Sequence, residues 1–461
     1  MHARIVAAVA GAWPLLLQQQ QQGVAAQGIG NADTHPRLST EKCTNTGGCV
    51  KQETAIVLDA SFHELRQVNG TSSCGGYGIG SAAPPLSKEL CPDPEVCARN
   101  CVFDAADYEG SGVFANGSSL TLNMYMERRG VLEPVSPRVY LLDKEGDNYE
   151  VLYIKNKEIS FDVDVSKLVC GMNGALYLAE MNSTGARSAL NPAGARYGTG
   201  YCDAQCPKLP FINGVANLDS KGACCNEMDL WEANAVASAF TAHVCSQPGV
   251  YACTGGECGS IGVCDKSGCA YNTWRMGNTT FYGPRSALTP PPSNNTAGAP
   301  GATPFTIDTT RPFTVTTQFL TTNNPSPINK DTLNEVRRLY VQDGVVIDNA
   351  AVADPAMPPG DSLRMSHCQA VGNTFENLGG LRTAGLALDR GMVLAFSIWN
   401  DGRQFMNWLN SGRAGPCDLR EGNPAVIKER RPDTAVTFSN IRWGDIGSTY
   451  GRSQGTVSGA V

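Results

Sequence analysis

Glu227-Met228-Asp229-Leu230-Trp231-Glu232-Ala233-Asn234 sets three carboxylates within six residues, interleaved with Met, Leu and Trp. In an extended chain side chains alternate between faces, so Glu227 and Asp229 share one face. Met228 and Leu230 then take the other, as a half-buried strand requires. Glu232 breaks this parity, because a regular strand carries it to the side opposite Glu227. A β-bulge between Asp229 and Glu232 restores it, and bulges often sit beside active sites. Five residues of strand span about 16 Å, and a bulge shortens that. Two glutamates leaning together would bring their carboxyls to about 5–5.5 Å, the spacing that glycoside hydrolysis with retention uses. The same octet also suits a solvated acidic strand face or a calcium site built from hard oxygen ligands.

The whole chain narrows the choice. Its 461 residues carry a net charge of −7, with only 17% charged residues. That acidic balance argues against a nucleic-acid partner. No apolar run reaches the ~18–20 residues of a membrane span, so no membrane role is expected. Residues 1–26 read as a secretory signal: Arg4, an apolar run from Ile5 to Leu17, and Val24-Ala25-Ala26 as the cleavage site. Gln18 to Gln22 interrupt that segment, and the mature chain would begin at Gln27. All 18 cysteines lie beyond it, an even number that reads as disulfides in an exported chain. The 5 histidines and the tight Cys224-Cys225 pair do not suit zinc. Glycosylation sequons begin at Asn69, Asn116, Asn182, Asn278 and Asn294, consistent with a secreted, extracellular protein.

With 50 Gly and 27 Pro between short alternating apolar runs, the chain reads as mostly β. Strands are expected at Thr54–Leu58, Ser119–Met126, Arg138–Leu142, Tyr149–Ile154, Ile159–Val165 and Ala175–Met181. Further ones are expected at Glu227–Trp231, Phe313–Phe319, Val336–Val341, Met392–Trp399 and Ala435–Trp443. Helical signal is weak, with Arg403–Asn410 the best short candidate. Many strands without a βαβ rhythm argue for a sandwich. The Pro/Ala/Asn-rich stretch Ser286–Thr303 reads as a surface loop, so residues 27–461 are expected to form one catalytic domain without a carbohydrate-binding module.

From about Lys42 to Thr449 the sequence resembles the glycoside hydrolase family 7 cellulases, comprising cellobiohydrolases and endoglucanases. Beside the Glu227 octet, the resemblance rests on CVFDAADYEG (Cys101–Gly110), FDVDVSKLVCGMNGALY (Phe161–Tyr177) and YGTGYCDAQCP (Tyr197–Pro207). It extends through GNTTFYGP (Gly277–Pro284), FSIWND (Phe396–Asp401) and VTFSNIRWGDIGST (Val436–Thr449). It implies an all-β, concanavalin A-like jelly-roll sandwich with a cleft on the concave sheet. It also implies retaining hydrolysis of β-1,4-glucan without metal or cofactor. Glu227 would be the nucleophile, Glu232 the general acid/base and Asp229 a supporting carboxylate.

The same resemblance places Arg138, Asn173, Tyr177, Tyr201, Asp203 and Gln205 along the cleft, with His243 at its border and Trp399 and Trp408 as sugar-stacking platforms. Phe62 stands where many relatives stack a Trp on glucose, and Glu64 where a second Trp often guards a tunnel mouth. The resemblance pairs Cys43–Cys49, Cys74–Cys101, Cys91–Cys97, Cys170–Cys417 and Cys202–Cys225. It further pairs Cys206–Cys224, Cys245–Cys264, Cys253–Cys258 and Cys269–Cys368. Only twelve residues separate Phe211 from Cys224, and Trp408–Cys417 and Cys253–Cys264 are compact, as in the endoglucanase branch. An open-cleft, monomeric endo-β-1,4-glucanase acting on cellulose, β-glucan or xylan is expected. Ser286–Thr303 and Asp348–His367 are long enough to suggest partial covering, so a cellobiohydrolase is one alternative. A non-catalytic glycan-binding sandwich is the other.

Overall fold

In the computed structural model, residues 28–76, 85–284, 305–322, 332–372 and 374–450 are described. The proposed signal, the stretch Ser286–Thr303 with the Asn294 sequon, and residues 451–461 lie outside them. Two large sheets face each other. One has eight strands, running in space Cys269–Asn272, Ser238–His243, Glu227–Ala233, Met172–Ala179, Met392–Asn400, Arg138–Leu142 and Ala55–Leu58, with Val151–Leu152 beside Met392–Asn400. Its recorded pairings are antiparallel. The other has ten strands, with Glu158–Asp164 between Phe313–Thr321 and Ala435–Gly444 at its middle.

Period-two alternation sorts the side chains of the eight-stranded sheet. Leu176, Leu178, Met228, Leu394 and Phe396 point into the sandwich, meeting Phe161, Phe313 and Phe438 of the facing sheet. Ala175, Tyr177, Ala395 and Tyr140 lie in a separate cluster on the opposite face. Trp231 is fully buried at the centre, edge-on to Phe161 (6.4 Å), Tyr282 (5.9 Å) and Phe313 (5.8 Å).

Several expectations needed adjusting. Ser119–Met126 is two strands, Ser119–Asn123 and Tyr125–Arg128, that belong to different sheets. Of Tyr149–Ile154 only Val151–Leu152 is strand, and of Arg403–Asn410 only Asn407–Asn410 is helix. An 11-residue helix, Gly380–Arg390, was not expected from the sequence. It lies against Leu333–Gln342 so closely that a Cβ on Gly385 would sit 2.7 Å from the Leu333 Cβ. The glycine that weakens the helical signal thus permits the packing.

The cysteines form nine disulfides, with no free thiol. Cys202–Cys225 and Cys206–Cys224 tie the approach to Glu227 onto the loop after Tyr201. Cys170–Cys417 joins points 247 residues apart, linking the start of Met172–Ala179 to the Trp408 loop.

Candidate active site

The strand Glu227–Ala233 carries the bulge that its parity demands. Toward Ser238–His243, Glu227 faces His243 and Asp229 faces Thr241, and the register shifts before Glu232 meets Ala239. Toward Met172–Ala179, Asp229 faces Tyr177 and Trp231 faces Leu176. Leu230 and Trp231 therefore both turn into the core, and Glu227, Asp229 and Glu232 all line one cleft of about 950 Å³. Arg138, Tyr177, Tyr201, Asp203, Gln205, His243, Trp399, Trp408 and Phe62 line the same cleft. Asn173 stands just behind it, donating from Nδ2 to Glu232 Oε1 at 3.0 Å while its Oδ1 accepts the Ala233 N–H at 3.1 Å. Glu64 is exposed and outside that lining.

The electrostatics follow from crowding. His243 Nε2 lies 3.2 Å from Asp229 Oδ2, and Nδ1 lies 2.8 Å from the Asp265 carbonyl. Both ring nitrogens face acceptors, so both carry protons. Burial opposes that charge, but the Asp229 carboxylate, followed by Glu227 and the Asp265 carbonyl, outweighs it and pushes the pKa up to about 10. Burial, then the charge of Asp229, raises Glu232 to about 8, against the pull of His243 and Asn173. Burial, then the charges of Asp229 and Asp203, also raises Glu227. His243 and the Ala204 N–H, 3.1 Å from Oε2, oppose that rise. Glu227 and Glu232 are both half-buried and line the cleft, so water screens the repulsion more than it would around sealed carboxyls. These groups ionise as a cluster rather than one by one.

Beside the cluster runs a polar chain. Tyr177 and Tyr201 hydroxyls lie 3.1 Å apart, and Tyr201 donates to Asp203 Oδ2 at 2.8 Å. The Arg138 guanidinium lies 3.5 Å over the Tyr201 ring and donates to Asp59 Oδ2 at 3.0 Å. Burial works against its charge, but Asp59 and the surrounding tyrosines hold it firmly protonated. Gln205 is exposed and donates to the Lys266 carbonyl at 2.9 Å. At the other end Trp399 and Trp408 stack at 6.3 Å and 30°. Both are half-buried, packing against the core residues Met406 and Leu409 while lining the cleft.

Sequence reasoning missed Asp59, Lys266, Arg275 and Gln404. Asp59 anchors Arg138 and accepts from Tyr140, and the other three line the cleft. They come from turns whose place in the cleft no local periodicity signals. Glu227, Asp229 and His243 bring ligand atoms within 4.8 Å of one another. An imidazole donating from both nitrogens offers no lone pair to a cation, so this trio holds protons rather than forming a metal cradle. Of the sequon asparagines described, Asn69, Asn116 and Asn182 are exposed, whereas Asn278 is half-buried and donates to the Ala351 carbonyl through the amide nitrogen a glycan would use.

A carboxyl pair on the open face of an antiparallel sandwich, with aromatic platforms alongside, defines a glycoside hydrolase acting on a polysaccharide. The comparisons specify which. The family described as "Glycosyl hydrolase family 7" matches residues 27–450, and the chain belongs to it. The Aspergillus terreus protein named "Probable endo-beta-1,4-glucanase celB" is 51% identical over 429 residues, covering 93% of this chain and 95% of the relative. The native Humicola insolens endocellulase EGI structure superposes with a TM-score of 0.82 at 44% identity, covering 92% of this chain and 100% of that one. A family cellobiohydrolase from Daphnia pulex gives 0.80 at 34% identity, covering 92% of this chain and 99% of that one.

Proposed function

We propose that this protein is a secreted endo-β-1,4-glucanase that cleaves internal bonds of cellulose and related β-glucans with retention, its residues 27–461 acting as one monomeric catalytic domain. The observation that carries the reading is the bulge, which puts Glu227 and Glu232 on one cleft face with different partners. Glu232, raised to about 8, holds a proton at neutral pH, as a general acid must. Its carboxyl protonates the glycosidic oxygen while the Glu227 carboxylate attacks the anomeric carbon. The C–O bond breaks and the leaving chain departs with a free 4-hydroxyl. Glu232, now ionised, takes a proton from water, and that water's oxygen displaces Glu227 from the glycosyl ester. The paired His243 and Asp229 bring no net charge of their own, and the imidazolium favours the ionised form of Glu227. Trp399 and Trp408 supply flat faces for pyranose rings, and the Arg138–Tyr201–Asp203 chain supplies hydroxyl partners.

Endo action is favoured over chain-end action by the compact loops beside the cleft. Phe211–Ile212 turns straight back on Val215–Ala216. The Trp408 loop closes on itself, the Cys417 N–H donating to the Asn410 carbonyl at 2.9 Å. The test is viscosity against reducing-end release on carboxymethylcellulose, with Glu227→Gln and Glu232→Gln as controls. The reading expects fast viscosity loss by the wild type and inactive controls. Slow viscosity loss with cellobiose as nearly the sole product would shift it to a cellobiohydrolase. Wild-type rates from both controls would undo the catalytic roles.

A further inference from the structure

Leu230 has no register partner in the strand on either side, because one ladder steps from Asp229 to Glu232 and the other from Asp229 to Trp231. A bulge in a buried strand leaves backbone polar groups in need of partners elsewhere. For the Leu230 carbonyl the partner comes from the facing sheet. Arg338, on Leu333–Gln342, donates to it from Nη2. Its guanidinium lies 4.4 Å from the centre of the Phe240 ring and 5.7 Å from that of Trp231.

Arg338 is only 1% exposed. Its Nε and Nη1 make no hydrogen bond of good geometry, the neighbouring Tyr340 hydroxyl gives its charge some support, and among the described residues no carboxylate forms an ion pair with it. Burial pushes its pKa down, as expected of a cation without a counter-ion. Such a group is costly in a core, and a methionine would fill the same space without that cost. Packing alone therefore gives no reason for an arginine here. What stands on the far face of the bulged strand does: the acidic cluster of Glu227, Asp229 and Glu232.

We propose that Arg338 is a positioning residue for the reaction: it clamps the Leu230 carbonyl and fixes the bulge that brings Glu232 onto the face of Glu227. This rests on the roles given above to Glu227 and Glu232. The titratable group beside Arg338 is Tyr340 on its own strand. Across the bulge lie Glu227, Asp229 and Glu232, with Asp203 and His243 facing Glu227 from the loop and the neighbouring strand.

The test measures kcat and KM on a soluble β-glucan across pH for R338M and R338K, with thermal unfolding of each. In R338M kcat should fall about tenfold or more while KM stays within about threefold, because the acids are misplaced and the sugar-binding surface is not. R338K puts a shorter, single-headed donor in the same dry site, where an ammonium without a counter-ion tends to lose its proton, so its kcat should fall at least about threefold. A folded R338M with wild-type kcat overturns the proposal, as does one whose loss lies in KM alone. So does a loss of activity that only tracks the loss of folded protein. If R338M does not fold, R338K decides, and wild-type kcat there overturns it. Glu227→Gln in the same assay is separate: full activity there removes the catalytic roles themselves, whatever Arg338 does.

Discussion

Replacing His243 by glutamine removes the cation closest to the acidic cluster while keeping an amide that can donate to Asp229. In the wild type, ligand atoms of Glu227, Asp229 and His243 lie within 4.8 Å of one another. At an effective dielectric of about 20, a unit charge at that distance is worth about 3.5 kcal/mol, or about 2.5 pKa units. Glu227 is half-buried and lines the cleft, so solvent screening reduces this to about 1–2 units. His243 lowers the Glu227 pKa, and its loss must therefore raise it. Because the nucleophile works ionised, the acidic limb of kcat/KM in His243→Gln should move up by about 1–2 pH units. On the acid side of that limb the rate should fall about 10- to 100-fold. The assay is kcat/KM on an aryl β-cellobioside across pH, with circular dichroism to confirm folding. A folded variant whose acidic limb coincides with that of the wild type would refute the electrostatic reasoning. Linkage supplies a second readout. The His243 pKa is raised to about 10 in the fold, so the stability it adds is fully present below its unfolded value of about 6.5 and fades as pH rises through about 10. The wild-type advantage over His243→Gln in urea should shrink across that window, and an advantage that grows with pH would contradict the assignment.

Asn173→Ala removes a donor that favours ionised Glu232, so the alkaline limb of kcat/KM should rise by about one pH unit, and a downward shift would show that the sign is wrong. The same change strands the Ala233 N–H and should lower stability by about 1–3 kcal/mol in chemical denaturation. Trp399→Ala should raise KM on soluble β-glucan by about 5- to 30-fold with a smaller loss of kcat, as expected of a stacking platform of about 1–2 kcal/mol; an unchanged KM would return it to core packing. The double variant Cys206→Ser/Cys224→Ser opens a loop spanning 18 residues and should cost about 3 kcal/mol of stability, read from a urea midpoint.

The strand carrying the acids was legible because its alternation fails in an informative way. Glu227 and Asp229 set a parity that Glu232 violates, and the register shift lies between Asp229 and Glu232. Strands with apolar residues on one face, such as Glu158–Asp164 with Phe161 and Val163 buried, were legible for the same reason. Gly380–Arg390 was not, because Gly380 and Gly385 answer to tertiary contacts that no local pattern reports. The cleft beyond the acids was legible only through family resemblance, since Arg138, Tyr201, Asp203 and Trp399 meet across strands and loops distant in sequence. Arg338 did leave a signal. It shares period-two parity with Val336 and Tyr340, both buried, so the alternation already placed a guanidinium inside the sandwich.

The central claim is that Glu227 is the group that bonds to sugar. Incubation with a 2-deoxy-2-fluoro-β-cellobioside bearing a good leaving group, followed by peptide mapping by mass spectrometry, tests it directly. One fluorocellobiosyl adduct is expected, on the peptide carrying Glu227, with hydrolysis resuming as the adduct turns over. An adduct on Glu232 or Asp229, or inactivation with Glu227 unmodified, would contradict it.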